Sequence, residues 1–225
     1  MTTNTTRRPR AAVAEALRRA GLPLENGEIL SPASLARRRI LESGRTSAAL
    51  LVPDESRADF EGVRVDEERP DWVVIGDLGP AFTWERLNLA FRGLRQGARL
   101  LALHKNRSWH PVPGEPVLDA GPFVAALEYA CAISAEVVGK PSPAFFQLAL
   151  REMGLAPGEV LVVGDDPETD GAGGRAAGCR VAMVRTGKFT GSDADRVMIV
   201  DEKGPVHVDE NAADSVVEAR HRHRF

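Results

Sequence analysis

Apolar positions follow two alternating rhythms along this chain. Residues 47–53 (SAALLVP), 71–76 (DWVVIG), 98–103 (ARLLAL), 135–140 (AEVVGK), 160–163 (VLVV) and 179–185 (CRVAMVR) are short continuous apolar runs. Runs of that length and composition read as strands, and the run 160–163 as a buried strand of a parallel sheet. Between them the spacing becomes helical. Residues 7–20 place Ala12, Val13, Ala16, Leu17 and Ala20 on one face, with Pro9 in the first turn and Gly21 beyond the end. A short strand near residue 28 leads into a helix capped by Ser31, with Pro32 in its first turn, reaching about Ser43 before Gly44. Thr83 caps a helix over 83–96 whose stripe is Leu87, Ala90, Phe91 and Leu94, closed by Gly97. Residues 121–131 form another, and Ser142 with Pro143 opens one that runs to Met153 and stops at Gly154. A short glycine-rich helix is expected over 171–177, stopped at Gly178. Residues 62–65 suggest a minor strand, 107–119 a long loop bearing Pro and Gly, 198–200 a final strand and 212–220 a last helix. Strand followed by helix, repeated, predicts an α/β fold with a doubly wound parallel sheet.

Composition narrows this picture only a little. The 225 residues allow one large domain or two small ones, and 43% hydrophobic content allows a real core. A net charge of -3 with 27% charged residues points to neither nucleic acid nor an anionic membrane as partner. The basic stretch 220–224 (RHRHR) is short and reads as a solvated tail. Cys131 and Cys179 stand in apolar surroundings outside any CxxC, as expected of buried free thiols in a reducing compartment. No apolar run is long enough to span a bilayer, and the first residues lack the apolar core of a secretory signal. A cytoplasmic location is expected.

The chemistry concentrates after the run 160–163. Gly164 ends it, Asp165 and Asp166 follow at once, and Asp170 comes shortly after. In open α/β sheets the carboxyl tips of strands are where ligands sit. Carboxylates gathered without matching cations are costly unless a hard cation binds them, which makes a Mg²⁺ site one reading. An acidic loop whose Thr169 or Asp170 caps the next helix is the other. Lys140 ends the preceding strand, and Thr3 with Asn4 forms a polar turn ahead of the first helix. In a parallel sheet all carboxyl tips share one edge, so these groups can converge. Phosphoryl transfer needs such a set: carboxylates for a divalent cation, a fixed cation for the phosphate, and small hydroxyl and amide donors for its oxygens. The run 171–178 (GAGGRAAG) has the wrong spacing for a dinucleotide fingerprint. His104, His110 and His207 lack ligand spacing and read as structural.

Taken in order, Thr3-Asn4, a long α/β insertion, VVGKPSPAFF, VLVVGDDPETD and RTGK resemble the haloacid dehalogenase (HAD) superfamily of phosphatases. The chain is most similar to subfamily IIA, which holds the NagD-like enzymes and the phospholysine phosphohistidine inorganic pyrophosphate phosphatase group. LLALHKNRSW and GPFVAALEYA are especially similar to that last branch. The resemblance implies a Rossmann-type core of residues 1–30 and 136–225, interrupted by an α/β cap domain over 31–135. It implies that Thr3 and Asn4 hold the transferring phosphoryl group, that Lys140 neutralises phosphate and nucleophile charge, and that Asp165 ligates Mg²⁺. Asp166 and Asp170 would support the ion from around it. Residues 104–109 would face the substrate from the cap. The expected activity is Mg²⁺-dependent hydrolysis of a small phosphorylated compound, and a homodimer is compatible with the resemblance.

One departure from the family pattern stands out. The family's first motif, an apolar strand ending in Asp-x-Asp or Asp-x-Ser, carries the attacking Asp and precedes Thr-Asn. Only Met1 and Thr2 precede Thr3 here, and no other Asp fits by position. This predicts a core lacking its first strand, in a chain truncated before the nucleophile motif. A catalytically inactive homologue that binds phosphate, Mg²⁺ or a protein partner is the alternative expectation.

Overall fold

Ser47–Leu51 (β1), Arg64–Val65 (β2), Trp72–Ile75 (β3), Arg99–Ala102 (β4) and Glu136–Val137 (β7) line up in the order β2-β1-β3-β4-β7, every pairing parallel. They belong to a computed structural model that describes residues 1–112, 115–184, 198–201 and 204–207. The expected helix over 212–220, the basic tail, the RTGK stretch and the side chains of His110 and His207 lie outside the described residues. The chain divides into two compact units, residues 1–139 and 140–225.

In the first unit every residue of β1 and β3 is buried, as their unbroken apolar runs require. One face of the sheet packs Ala49, Leu51, Val73, Ile75, Leu100 and Ala102 against Ala90 and Leu94 of α3 (Trp84–Arg95) and Val124 and Leu127 of α4 (Ala120–Cys131). Alternate residues turn the other way. Among them Trp72 is fully buried, its indole N–H donates to the Arg45 carbonyl at 3.1 Å, and the Arg39 guanidinium lies over its ring. Arg39 belongs to α2 (Pro32–Glu42).

Local signals placed these helices well. Ser31 caps α2 by accepting from the Ser34 N–H, and Thr83 caps α3 by accepting from the Arg86 N–H. The first helix, α1 (Arg10–Arg19), starts later than its periodicity predicts, because Pro9 takes the cap position in extended backbone. The stretch expected as a loop over 107–119 is a hairpin instead. Ser108–Val112 (β5) pairs antiparallel with Glu115–Leu118 (β6), with an irregularity between Trp109 and Val112. Pro111 and Pro116 argued against strands there, but a two-stranded ribbon leaves one backbone edge of each strand without a ladder, where proline is tolerated.

A pH-dependent contact ties β1 to the start of β3. Asp71 accepts from both the Ser47 hydroxyl at 2.6 Å and the Ser47 N–H at 3.2 Å. The hydroxyl bond is the main cause that holds its carboxyl below the ordinary 3.8. A depressed carboxylate contributes stability above its unfolded pKa and loses it as pH falls through the folded value. Ser47→Ala is therefore expected to lower the urea midpoint at pH 7, and the gap to wild type should close below pH 3.8. A gap unchanged at low pH would reject the linkage.

The second unit holds α5 (Pro143–Met153), Leu161–Gly164 (β8), a π-helical turn over Pro167–Ala172, α6 (Gly173–Ala176), Arg180–Met183 (β9), Met198–Asp201 (β10) and Gly204–His207 (β11). Its sheet runs β11-β10-β9-β8; only β8 and β9 are parallel. Two expectations change here. The run 160–163 forms an edge strand rather than a buried one, since β9 is its one partner among the described residues and Val163 is 50% exposed. Of the two thiols, Cys179 is buried but Cys131 only half-buried, and burial pushes both thiol pKa values up. Glycines bring α6 onto the unit's core: a Cβ on Gly173 would meet the Phe146 ring, and one on Gly174 would crowd Val162 and Val181. Among the described residues no helix is long and apolar enough to cross a membrane.

Candidate active site

In the first unit the segment Thr3 to Arg7 is laid along the carboxyl edge of the five-stranded sheet. It begins with a short parallel pairing, in which Thr2 bridges Leu30 and the Thr3 N–H donates to the Leu30 carbonyl at 3.1 Å. Thr3 Oγ1 then accepts from the Thr5 N–H at 3.0 Å, a local turn that shapes the Thr-Asn corner. The Asn4 Oδ1 lies 3.0 Å from where a Cβ on Gly139 would stand, so the glycine after β7 makes room for the amide. Thr6 is buried, accepts from the Asp77 N–H at 2.8 Å, and lies 3.2 Å from His104 Nε2. Asp77 follows β3 and His104 follows β4, so three strand exits hold this one segment. Thr6, in the middle of this polar segment, is held by that edge.

Residues 104–109, expected to face a substrate, divide on inspection. His104 is 2% exposed and sits between Thr6 and Asp119, the residue that caps α4. Lys105 pairs with Glu128 at 2.7 Å. Trp109 lies under the Arg7 guanidinium, 4.7 Å from ring centroid to Cζ. The burial of His104 accords with its reading as structural, while the meeting of Arg7 with Asp77 and Trp109 was not visible in the sequence, because only the fold brings these residues together.

In the second unit Lys140 Nζ donates to Asp170 Oδ1 at 2.5 Å, and both side chains are buried. Asp170 can come this close to β8 because Gly164 has no side chain; a Cβ there would lie 2.4 Å from the carboxylate. Asp166, rather than Thr169 or Asp170, is the cap: its Oδ1 accepts from the N–H groups of Glu168 at 3.0 Å and Thr169 at 3.1 Å. The Asp166 N–H in turn points at Asp170 Oδ2, 3.4 Å away. Asp165, half-buried, sits directly past the tip of β8.

These roles bear on a metal. Among the described residues no three His, Cys, Asp or Glu side chains gather as a ready cage. Mg²⁺ is commonly held by one or two carboxylates, with waters and substrate phosphate completing its shell. Asp165 offers a hard oxygen donor just past the strand tip, in the same loop as the carboxylates of Asp166 and Asp170, a donor type that fits that habit.

Several known proteins are similar to this chain. Residues 137–218 match the model of the HAD-hydrolase-like family. Phospholysine phosphohistidine inorganic pyrophosphate phosphatase of Bos taurus is 42% identical over 193 residues, covering 85% of this chain and 70% of that protein. Haloacid dehalogenase-like hydrolase domain-containing protein 2 of Bos taurus is 39% identical over 195 residues, covering 87% and 74%. The solved p-nitrophenyl phosphatase from Archaeoglobus fulgidus superposes with a TM-score of 0.77 at 27% identity, over 83% of this chain and 72% of that one.

Proposed function

The chain belongs to the haloacid dehalogenase-like hydrolases, in the subfamily IIA branch of phosphatases, and from that premise we propose that it takes part in Mg²⁺-dependent hydrolysis of a small phosphorylated compound. The buried Lys140–Asp170 pair at the head of the second unit carries the reading. A lysine held by one carboxylate, out of bulk water, is a fixed positive charge, and transfer of a phosphoryl group depends mainly on such pre-placed charge. In this assignment Lys140 stabilises negative charge on the transferring group, and Asp170 orients the ammonium. The Thr3 hydroxyl and the Asn4 amide bind phosphoryl oxygens. Asp165 would hold the cation, with Asp166 and Asp170 shaping the loop around it. Bound there, Mg²⁺ would supply further neutralisation of the phosphate oxygens. Residues 31–135 would select the substrate, as a cap on a core of residues 1–30 and 136–225. No residue of the chain is assigned as the attacking carboxylate.

The pyrophosphate and phosphoamino acid named in the Bos taurus relative mark the substrates to assay first, with p-nitrophenyl phosphate as a general reporter. The deciding assay is turnover of p-nitrophenyl phosphate by the 225-residue protein with and without added Mg²⁺: a Mg²⁺-dependent rate supports the phosphatase reading of this chain, and no rate above background rejects it. Asp165→Asn should abolish the calorimetric heat of Mg²⁺ binding while the fold persists. Intact Mg²⁺ binding in that variant would reject the metal assignment. Binding of inorganic phosphate and Mg²⁺ without any turnover would favour the second reading, a HAD-like binding protein.

A further inference from the structure

We propose that Arg7 is a specificity-determining residue: a pre-oriented guanidinium that binds a second anionic group, a carboxylate or a further phosphate, on the part of the substrate that departs with the alcohol. The inference rests on the phosphatase reading, in which Thr3 and Asn4 take the phosphoryl group a few residues earlier in the same segment.

Three contacts hold the planar group. Its Nε donates to Asp77 Oδ2 at 2.6 Å. Its face lies on the Trp109 ring, 4.7 Å from the centroid. Its Nη2 reaches over Gly79, where a Cβ would stand only 2.5 Å away and where φ is +59°. The partner Asp77 is itself fixed, 6% exposed, with Oδ1 accepting from the Gly79 N–H at 3.0 Å and its own N–H bound to Thr6. The bond from Nε is the only hydrogen bond of the Arg7 side chain among the described residues, and the side chain remains 40% exposed. The two terminal nitrogens are therefore donors in a set orientation. The indole Nε1 of Trp109 is buried and has no acceptor among the described residues.

An ordinary surface ion pair contributes little and holds its arginine loosely. Stacking, an end-on glycine and a buried carboxylate go beyond what such a pair needs. They remove the rotamer freedom that an arginine otherwise loses on binding an anion. The location agrees: Asp77 follows β3 and Trp109 lies beyond β4, on the carboxyl edge where ligands of open α/β sheets bind.

The test compares 3-phosphoglycerate with glycerol 3-phosphate, which differ by a carboxylate in place of a hydroxymethyl group. Dissociation constants by calorimetry and kcat/KM by phosphate release are measured for the wild type, Arg7→Gln and Arg7→Lys. The preference for the carboxylate-bearing compound is expected to fall about 10- to 100-fold in Arg7→Gln, as for loss of a charge-assisted hydrogen bond. Arg7→Lys should not restore it, since an ammonium cannot stack and fork together. Equal losses for both compounds, or an unchanged preference in a folded variant, would overturn the proposal. So would a wild type that binds neither compound. If the wild type binds both but hydrolyses neither, the phosphatase reading falls, and the affinity ratio still decides the role of Arg7.

Discussion

Replacing Lys140 by methionine is expected to lower kcat for p-nitrophenyl phosphate about 10²- to 10³-fold, the usual loss when one pre-placed electrostatic group is removed. It should also destabilise the fold by about 3–5 kcal/mol, because Asp170 is left charged and buried without its partner. Asp170→Asn should show a similar stability loss for the mirror-image reason. The double variant Lys140→Met/Asp170→Asn removes both charges together, so much of the stability should return while activity stays lost. This divergence separates the structural share of the pair from its chemical share. Denaturant midpoints and initial rates on the same preparations check it. If activity recovers along with stability in the double variant, Lys140 serves only to satisfy Asp170.

Gly164→Ala should produce the second large effect, from a single methyl group. The added Cβ would stand 2.4 Å from Cγ and Oδ2 of Asp170. Asp170 has little freedom to move aside, being 5% exposed and tied to Lys140 Nζ and to the Asp166 N–H. Either the strand or the ion pair must shift, at a cost of about 1–3 kcal/mol for overpacking and more if the pair opens. Activity is expected to fall with it, since Lys140 then loses its orienting partner. Gly158→Ala is the matched control. Nothing lies within 4 Å of its Cβ position, so its effect should stay within about 0.5 kcal/mol. A cycle with Asp170→Ala gives the cause: once the carboxylate is gone, the methyl at 164 should cost little. A cost that persists would place the clash elsewhere.

Much of the architecture was legible because its signals are local. Ser31-Pro32, Thr83 and Pro143…Gly154 mark helix ends through groups that act within a turn, and the structure puts α2, α3 and α5 there. The runs at 47–53, 71–76 and 98–103 became the parallel centre of the first unit. Where the reading failed, the deciding partner was distant in sequence. Pro111 and Pro116 argue against strands until Ser108 meets Leu118 across the ribbon. The run ending at Val163 looks buried, yet its exposure depends on which strands flank it.

The candidate site divides along the same line. Sequence alone determined which chemical groups the chain possesses and in what order: Thr3-Asn4, then Lys140, then Asp165, Asp166 and Asp170, at strand exits whose types and positions follow from periodicity. That order sufficed to place the chain in its family. Only the tertiary structure decided which groups Asp166 and Asp170 meet. Asp170 meets Lys140 across thirty positions of chain, Asp166 caps the turn that follows, and Asp165 lies just past the tip of β8. It also decided that the segment from Asn4 to Arg7 lies across the exits of β3, β4 and β7. The reason is physical: caps and periodicity act through neighbouring residues, whereas the pairing of a buried charge is settled by whichever opposite charge the fold delivers to it.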